Sequence, residues 1–134
     1  TLLPYIKAAG ELKTKPTQHS VGKLREIGIQ PDILICRSEK ALSKSIKQKI
    51  SLFCNVEEDS VFEARDADLI YKVPYAFQKQ GMELTIMKLL HLHEDEPIAE
   101  SWKPIIEKIR GIKKEVKVAV VGKYIDLQDS YKSI

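Results

Sequence analysis

Ile33, Leu34, Ile35 and Cys36 follow the turn pair Pro31-Asp32 and lead into Arg37-Ser38. A continuous apolar run this short, closed at both ends by turn or polar residues, has no side set aside for water. It predicts a strand buried on both faces, the kind found in parallel sheets covered by helices. The flanking segments carry the matching helical spacing. Val21, Leu24 and Ile27 predict a helix over residues 20–27, with Ser20 as N-cap and Gly28 as stop. Residues 10–18, polar and interrupted by Pro16, read as a loop. Residues 43–49 are expected as a short helix, 50–56 as a second buried strand, and 60–63 and 69–73 as shorter strands. From Pro74 onward Phe77, Met82, Leu84, Met87 and Leu90 fall at helical intervals. Strands alternating with helices make the expected class α/β, with a mostly parallel sheet flanked by helices.

The remainder reads as a junction. Residues 91–100 are polar and acidic, as in a linker. Trp102, Ile105, Ile106 and Ile109 predict an amphipathic helix ending at Gly111. Residues 116–121 read as a new strand followed by Gly122, and residues 130–134 as the start of a helix. A fresh strand after a linker is how a second domain opens. Residues 2–5 read as the tail of a strand, so the protein is expected to continue beyond both ends of these residues.

Charge is unevenly placed. Residues 1–49 carry ten Lys or Arg against four Asp or Glu, residues 50–100 four against eleven, and residues 101–134 eight against four. The basic first third suits a polyanionic partner, whereas the acidic middle disfavours a nucleic acid wrapped around the whole chain. A phosphorylated small molecule held at one end fits. No apolar stretch approaches the roughly 20 residues of a membrane helix, so no membrane association is expected, and no signal peptide is visible. Two cysteines are too few for a disulfide scaffold or a four-cysteine zinc site. Both sit in apolar runs, as reduced, buried and inert thiols of a cytoplasmic protein would.

The stretch richest in chemistry is residues 10–20, where Lys13, Thr14, Lys15, Thr17 and Gln18 feed a helix start. A helix N-terminus offers unpaired N–H groups to phosphate, lysines add charge for a triphosphate, and an amide can read a base edge. The same residues would also suit a solvated basic loop. Lys49 precedes an expected strand and by itself reads as a lysine favouring a helix C-terminus. Arg37 lies at the carboxyl end of a strand, where a guanidinium plane can stack on a base. Asp66, within Arg65-Asp66-Ala67-Asp68, can accept from an amino group, or simply belong to a charged turn. Residues 91–96 hold two histidines and three acids but lack metal-site spacing, and no metal ligands or catalytic residues are assigned. No GxxxxGK[ST] loop occurs in these residues.

The run from Leu12 to Val21, LKTKPTQHSV, closely resembles the KTKPTQHSV signature of the CTP synthases. The resemblance extends through GIQPD (28–32), ICRS (35–38), Lys49-Ile50, LFCNV (52–56) and DLIYKVP (68–74). VGKYI (121–125), with Asp126, Asp129, Ser130 and Tyr131, looks like the opening of that family's glutamine amidotransferase domain. The resemblance implies a P-loop NTPase-like synthetase domain, of which residues 1–92 would be the C-terminal part. Residues 93–115 would be an interdomain linker and residues 116–134 the start of the amidotransferase domain.

It further implies ATP- and Mg²⁺-dependent amination of UTP to CTP, with ammonia from glutamine, GTP as an activator, and a homotetramer. Lys13, Thr14, Lys15, Pro16, Thr17, Gln18 and Lys49 would bind UTP, or CTP as feedback inhibitor, with Lys49 acting across a subunit boundary. Arg65, Asp66 and Ala67 would hold the adenine end of ATP, with Arg37 beside them. The family usually has valine at the position of Ala67, so the apolar wall around the base would be thinner here. The Mg²⁺ ligands, the P-loop and the glutaminase residues would lie outside these 134 residues, which alone would be inactive. The alternative is a noncatalytic module that senses UTP or CTP or assembles with copies of itself. A nucleic-acid module is disfavoured, because no aromatic platform adjoins the basic loop.

Overall fold

A computed structural model describes residues 1–93 and 101–126. Its centre is a parallel pair, β3 (Leu34–Ser38) and β4 (Val61–Arg65), with Leu34 opposite Val61 and Ser38 opposite Arg65. Residues 1–3 extend this pair on the other side of β3. The Leu3 N–H donates to the Arg37 carbonyl at 2.8 Å, the Arg37 N–H donates to the Thr1 carbonyl at 2.9 Å, and Leu2 bridges Arg37 in parallel. Three extended segments thus run the same way, in the order 1–3, β3, β4. The α/β class and the parallel pairing agree with the expectation from the apolar run.

One face of this sheet is the core. Leu3, Leu34, Cys36 and Val61 pack there with Val21 of α1 (Lys15–Glu26) and with Ile50 and Cys54 of α2 (Lys44–Cys54). The other face is not fully covered. Burial along β3 alternates, and Ile35 keeps 38% of its surface exposed, so this strand is not buried on both sides as its composition suggested.

α1 starts five residues before the predicted helix. Lys15 and Pro16 occupy its first turn, where proline's fixed φ and missing N–H cost nothing, so the polar residues 15–19 are helix and not loop. Ser20 lies inside the helix and caps nothing. Gly28, at φ +87°, supplies the expected stop. Ahead of α1, β1 (Tyr5–Ile6) and β2 (Glu11–Leu12) form a short antiparallel hairpin, closed by Gly10 at φ +65°.

The largest departure is residues 50–56, expected as a strand. Residues 50–54 belong to α2, which Ser43 opens by accepting from the Ile46 N–H at 3.3 Å. Asn55 closes it in the left-handed region at φ +52°, with the Val56 N–H bonded back to the Ser51 carbonyl. Gln30 donates its Nε2 to the Asn55 carbonyl at 2.9 Å. The buried side chains are Ile50 and Cys54, four apart, with Ile46 half-buried a turn earlier. Leu52 and Phe53 face out. The period is therefore near 3.6, hidden by apolar residues on the exposed side.

Residues 69–73, also expected as a strand, form a 3₁₀ turn (Ile70–Lys72) leading into α3 (Val73–Gln78). α4 (Met82–Leu89) follows, as the spacing after Pro74 predicts. α5 (Lys103–Arg110) ends at Gly111 as expected, buries Ile106, and is pinned by Trp102 stacked on Tyr71 with ring centroids 5.8 Å apart. Residues 116–121 form no strand. Val116 and Val121 are exposed, and among the described residues no strand lies beside them to complete their hydrogen bonds. Residues 94–100 of the expected linker and the helix start at residues 130–134 lie outside the described residues.

Cys36 and Cys54 are buried and unpaired, as the sequence predicts. Burial pushes the Cys36 thiol from 9.0 up to about 11, and raises Cys54 as well. The protonated thiol is the form the fold favours. The stability it contributes is therefore complete below pH 9 and is lost as pH rises towards about 11. Iodoacetamide at pH 8 should label neither cysteine in the folded protein and both in denaturant, as read by intact mass.

Candidate functional site at the carboxyl edge of the sheet

Parallel strands put their carboxyl ends on one edge, and ligand crevices of open α/β sheets form there. Residues 1–3 run into the hairpin and the start of α1, β3 ends at Arg37-Ser38, and β4 ends at Arg65. The two groups of residues expected to bind nucleotides therefore meet on this edge, although they are far apart in sequence. A cavity of about 350 Å³ at this edge is lined by Leu3, Pro4 and Tyr5 on one side and by Arg37, Ser38 and Asp66 on the other; residues 13–18 do not line it and adjoin it through Pro4, whose carbonyl accepts from the Lys13 N–H.

The hairpin side divides into exposed and buried residues. Lys13, Lys15 and Pro16 are exposed, with the Lys13 N–H donating to the Pro4 carbonyl at 2.9 Å. Lys13 Nζ pairs with the Glu11 carboxylate and holds its pKa below the usual range, and Lys49 acts on the same carboxylate. Lys49, exposed within α2, is thus near this loop in the same chain. It ends no helix and precedes no strand, since α2 continues to Cys54. Thr14 and Thr17 are buried. The Thr17 hydroxyl donates to the Leu2 carbonyl at 3.1 Å, tying α1 to the edge segment. Gln18 donates its Nε2 to the Thr14 hydroxyl at 3.2 Å. The run thus presents two cations at the head of a helix, and the Thr17 hydroxyl fastens that helix to the edge segment.

On the other side the parallel register sets Arg37 opposite Ala64, two residues before Asp66. Arg37 Nε donates to Asp66 Oδ1 at 3.3 Å. Both side chains are more than half exposed, so the contact contributes at most about 1 kcal/mol. Arg65 Nε lies 3.4 Å from the Glu63 carboxylate, and Ala67 is exposed. Behind them a cavity of about 300 Å³ is walled by Ala64, Ala67, Ile70, Val73 and Phe77. A cavity lined by apolar side chains together with Arg37 and Asp66 has the chemistry to take a heteroaromatic ring. Sequence reasoning missed Ile70, Val73 and Phe77 as wall residues. Their spacing of three and four residues was the available signal, obscured by reading 69–73 as a strand.

These features define the class as an α/β protein with a parallel sheet and a crevice, flanked by cationic and apolar groups, at its strands' carboxyl ends. Comparison with known proteins then gives the family. The family model described as the CTP synthase N-terminus matches residues 1–92, and the chain belongs to that family. It is 54% identical over 134 residues to the CTP synthase of Syntrophus aciditrophicus and 56% identical over 135 residues to that of Geobacter metallireducens. It is 52% identical over 134 residues to the CTP synthase of Methanocaldococcus jannaschii. In each case the whole chain is covered but only 25% of the relative, so the chain spans about a quarter of the length of these proteins.

No helix among the described residues is long and apolar enough to cross a membrane. Among the described residues no group of three or more His, Cys, Asp or Glu is placed to hold a metal ion.

Proposed function

We propose that this chain supplies the nucleotide-recognition edge of a CTP synthase, which aminates UTP to CTP with ATP and glutamine-derived ammonia. The observation that carries the reading is the placement of residues 13–18, Arg37 and Asp66 at one sheet edge, where Pro4, Arg37 and Asp66 line one cavity and the Pro4 carbonyl accepts from the Lys13 N–H. Lys13 and Lys15, assisted by Lys49, neutralise the UTP triphosphate at the head of α1, and Thr14 and Thr17 keep that helix seated. Gln18 reads the nucleotide beside them. CTP, sharing the triphosphate, competes there as an inhibitor. The ATP base lies over the cavity walled by Ile70, Val73 and Phe77, with Arg37 stacked on it and Asp66 accepting from its amino group. ATP phosphorylates O4 of UTP. Ammonia then attacks C4 and phosphate leaves. In this reading the side chains named above bind and orient the nucleotides, and Mg²⁺ would offset the charge of the phosphates.

In this reading residues 1–92 are the C-terminal part of the synthetase domain, 93–115 the linker and 116–134 the opening of the amidotransferase domain. GTP activation, a homotetramer and a cytoplasmic location go with it. The test is CTP formation by the full-length protein that carries this segment, supplied with UTP, ATP, Mg²⁺ and glutamine. Glutamine- and ATP-dependent CTP supports the reading. Tight UTP or CTP binding without turnover would replace it with a noncatalytic sensing module.

A further inference from the structure

β4 pairs with β3 on one side, which leaves the backbone groups on its other side in need of partners. At Glu63 they find one side chain. Gln80 Oε1 accepts from the Glu63 N–H at 2.7 Å, and Gln80 Nε2 donates to the Glu63 carbonyl at 2.9 Å. The same Nε2 donates to the Ala76 carbonyl at 2.9 Å, which ties the pair to α3. A carboxamide carries one acceptor and one donor group at the spacing of a peptide unit, so Gln80 stands in for a neighbouring strand at this one position.

Glu63 is gripped through its side chain as well. Its Oε2 accepts from the Leu42 N–H at 2.6 Å, and its Oε1 faces Arg65 Nε at 3.4 Å. Two residues after this clamp comes Arg65, the last residue of β4 and opposite Ser38, followed by Asp66, which meets Arg37, and Ala67; all three are exposed. The β3 pairing holds this segment from one side, and the Gln80 clamp holds the strand it leaves from the other.

We infer that Gln80 is a positioning residue: by clamping both backbone groups of Glu63, it sets where residues 65–67 present themselves to the adenine base. The inference rests on the proposed ATP site and goes beyond it, because Gln80 need not touch the nucleotide. Its effect should fall on ATP and spare UTP, whose contacts lie on the other side of the edge.

The test compares full-length wild type with Q80M, which keeps the length but has neither donor nor acceptor, and with Q80E. In Q80M the KM for ATP should rise about tenfold, with KM for UTP unchanged, as expected when several hydrogen bonds are lost at one backbone position. The carboxylate that Q80E introduces can accept from the Glu63 N–H but cannot donate to its carbonyl, whereas the protonated carboxyl can do both. The Q80E defect in KM for ATP should therefore shrink as pH is lowered, while the wild-type value shows no matching trend.

Amide hydrogen exchange supplies a readout independent of activity: the Glu63 N–H, bonded to Gln80, should lose protection in Q80M while β3 keeps its own. Unchanged exchange at Glu63, or equal increases in KM for ATP and UTP, would overturn the inference. A wild-type protein that does not use ATP would sink the functional reading instead, and exchange alone would then decide whether the clamp exists.

Discussion

Replacing Lys13 and Lys15 together by alanine in the full-length protein should raise KM for UTP about a hundredfold, taking each exposed charged contact at the low end of its usual range. The two ammonium groups head α1 on the exposed side, and no buried apolar contact is lost with them, so the fold should survive. Release of ammonia from glutamine should persist, because no residue of this edge serves that reaction in the proposed mechanism. The measurement is steady-state CTP formation alongside glutamate release. If both activities fell equally, the lysines would be structural. If neither moved, UTP would have to bind elsewhere.

The second large effect concerns stability. Ile50→Ala should destabilise the protein by roughly 2–5 kcal/mol, and Leu52→Ala should stay within about 0.5 kcal/mol of wild type. Ile50 is fully buried in the core cluster, whereas Leu52 is 78% exposed two positions further along the same helix. The comparison decides the local structure as well as its energetics. In a strand, residues 50 and 52 would share a face and both truncations would be costly. In a helix they lie on different sides, and only one matters. Urea denaturation of the two variants, followed by circular dichroism, measures the difference.

That contrast also marks where sequence reasoning ran out. The strand at Ile33–Cys36 could be read because turn residues bracket it and its length leaves little room for a helix. Residues 50–56 carry a similar apolar run, but α2 begins at Lys44, and the run is only its last turns. Composition cannot separate these cases. What separates them is that Ile46, Ile50 and Cys54 meet the core while Leu52 and Phe53 do not, and that is settled by packing. The lysines and hydroxyls of residues 13–18 were identifiable because they are consecutive. Which of them would be buried was not, since Thr17 is covered only when the segment 1–3 folds against it. Arg37 and Asp66 stand 29 residues apart, and their pairing follows from strand register, which no local pattern encodes.

The parallel edge also works as a ruler. Hydrogen-bonded strands stand about 4.8 Å apart, so the segment leading to the hairpin and the strand leading to Arg65 are separated by two such steps, about 10 Å. The spacing of the strands behind the two proposed nucleotide loops is thus written in backbone hydrogen bonds. Side-chain substitution can retune what each loop grips and how it leaves its strand. It cannot change the spacing of the strands without dismantling the sheet. In the proposed function, nucleotide preference could therefore drift at either end while the strands behind the two sites keep their spacing.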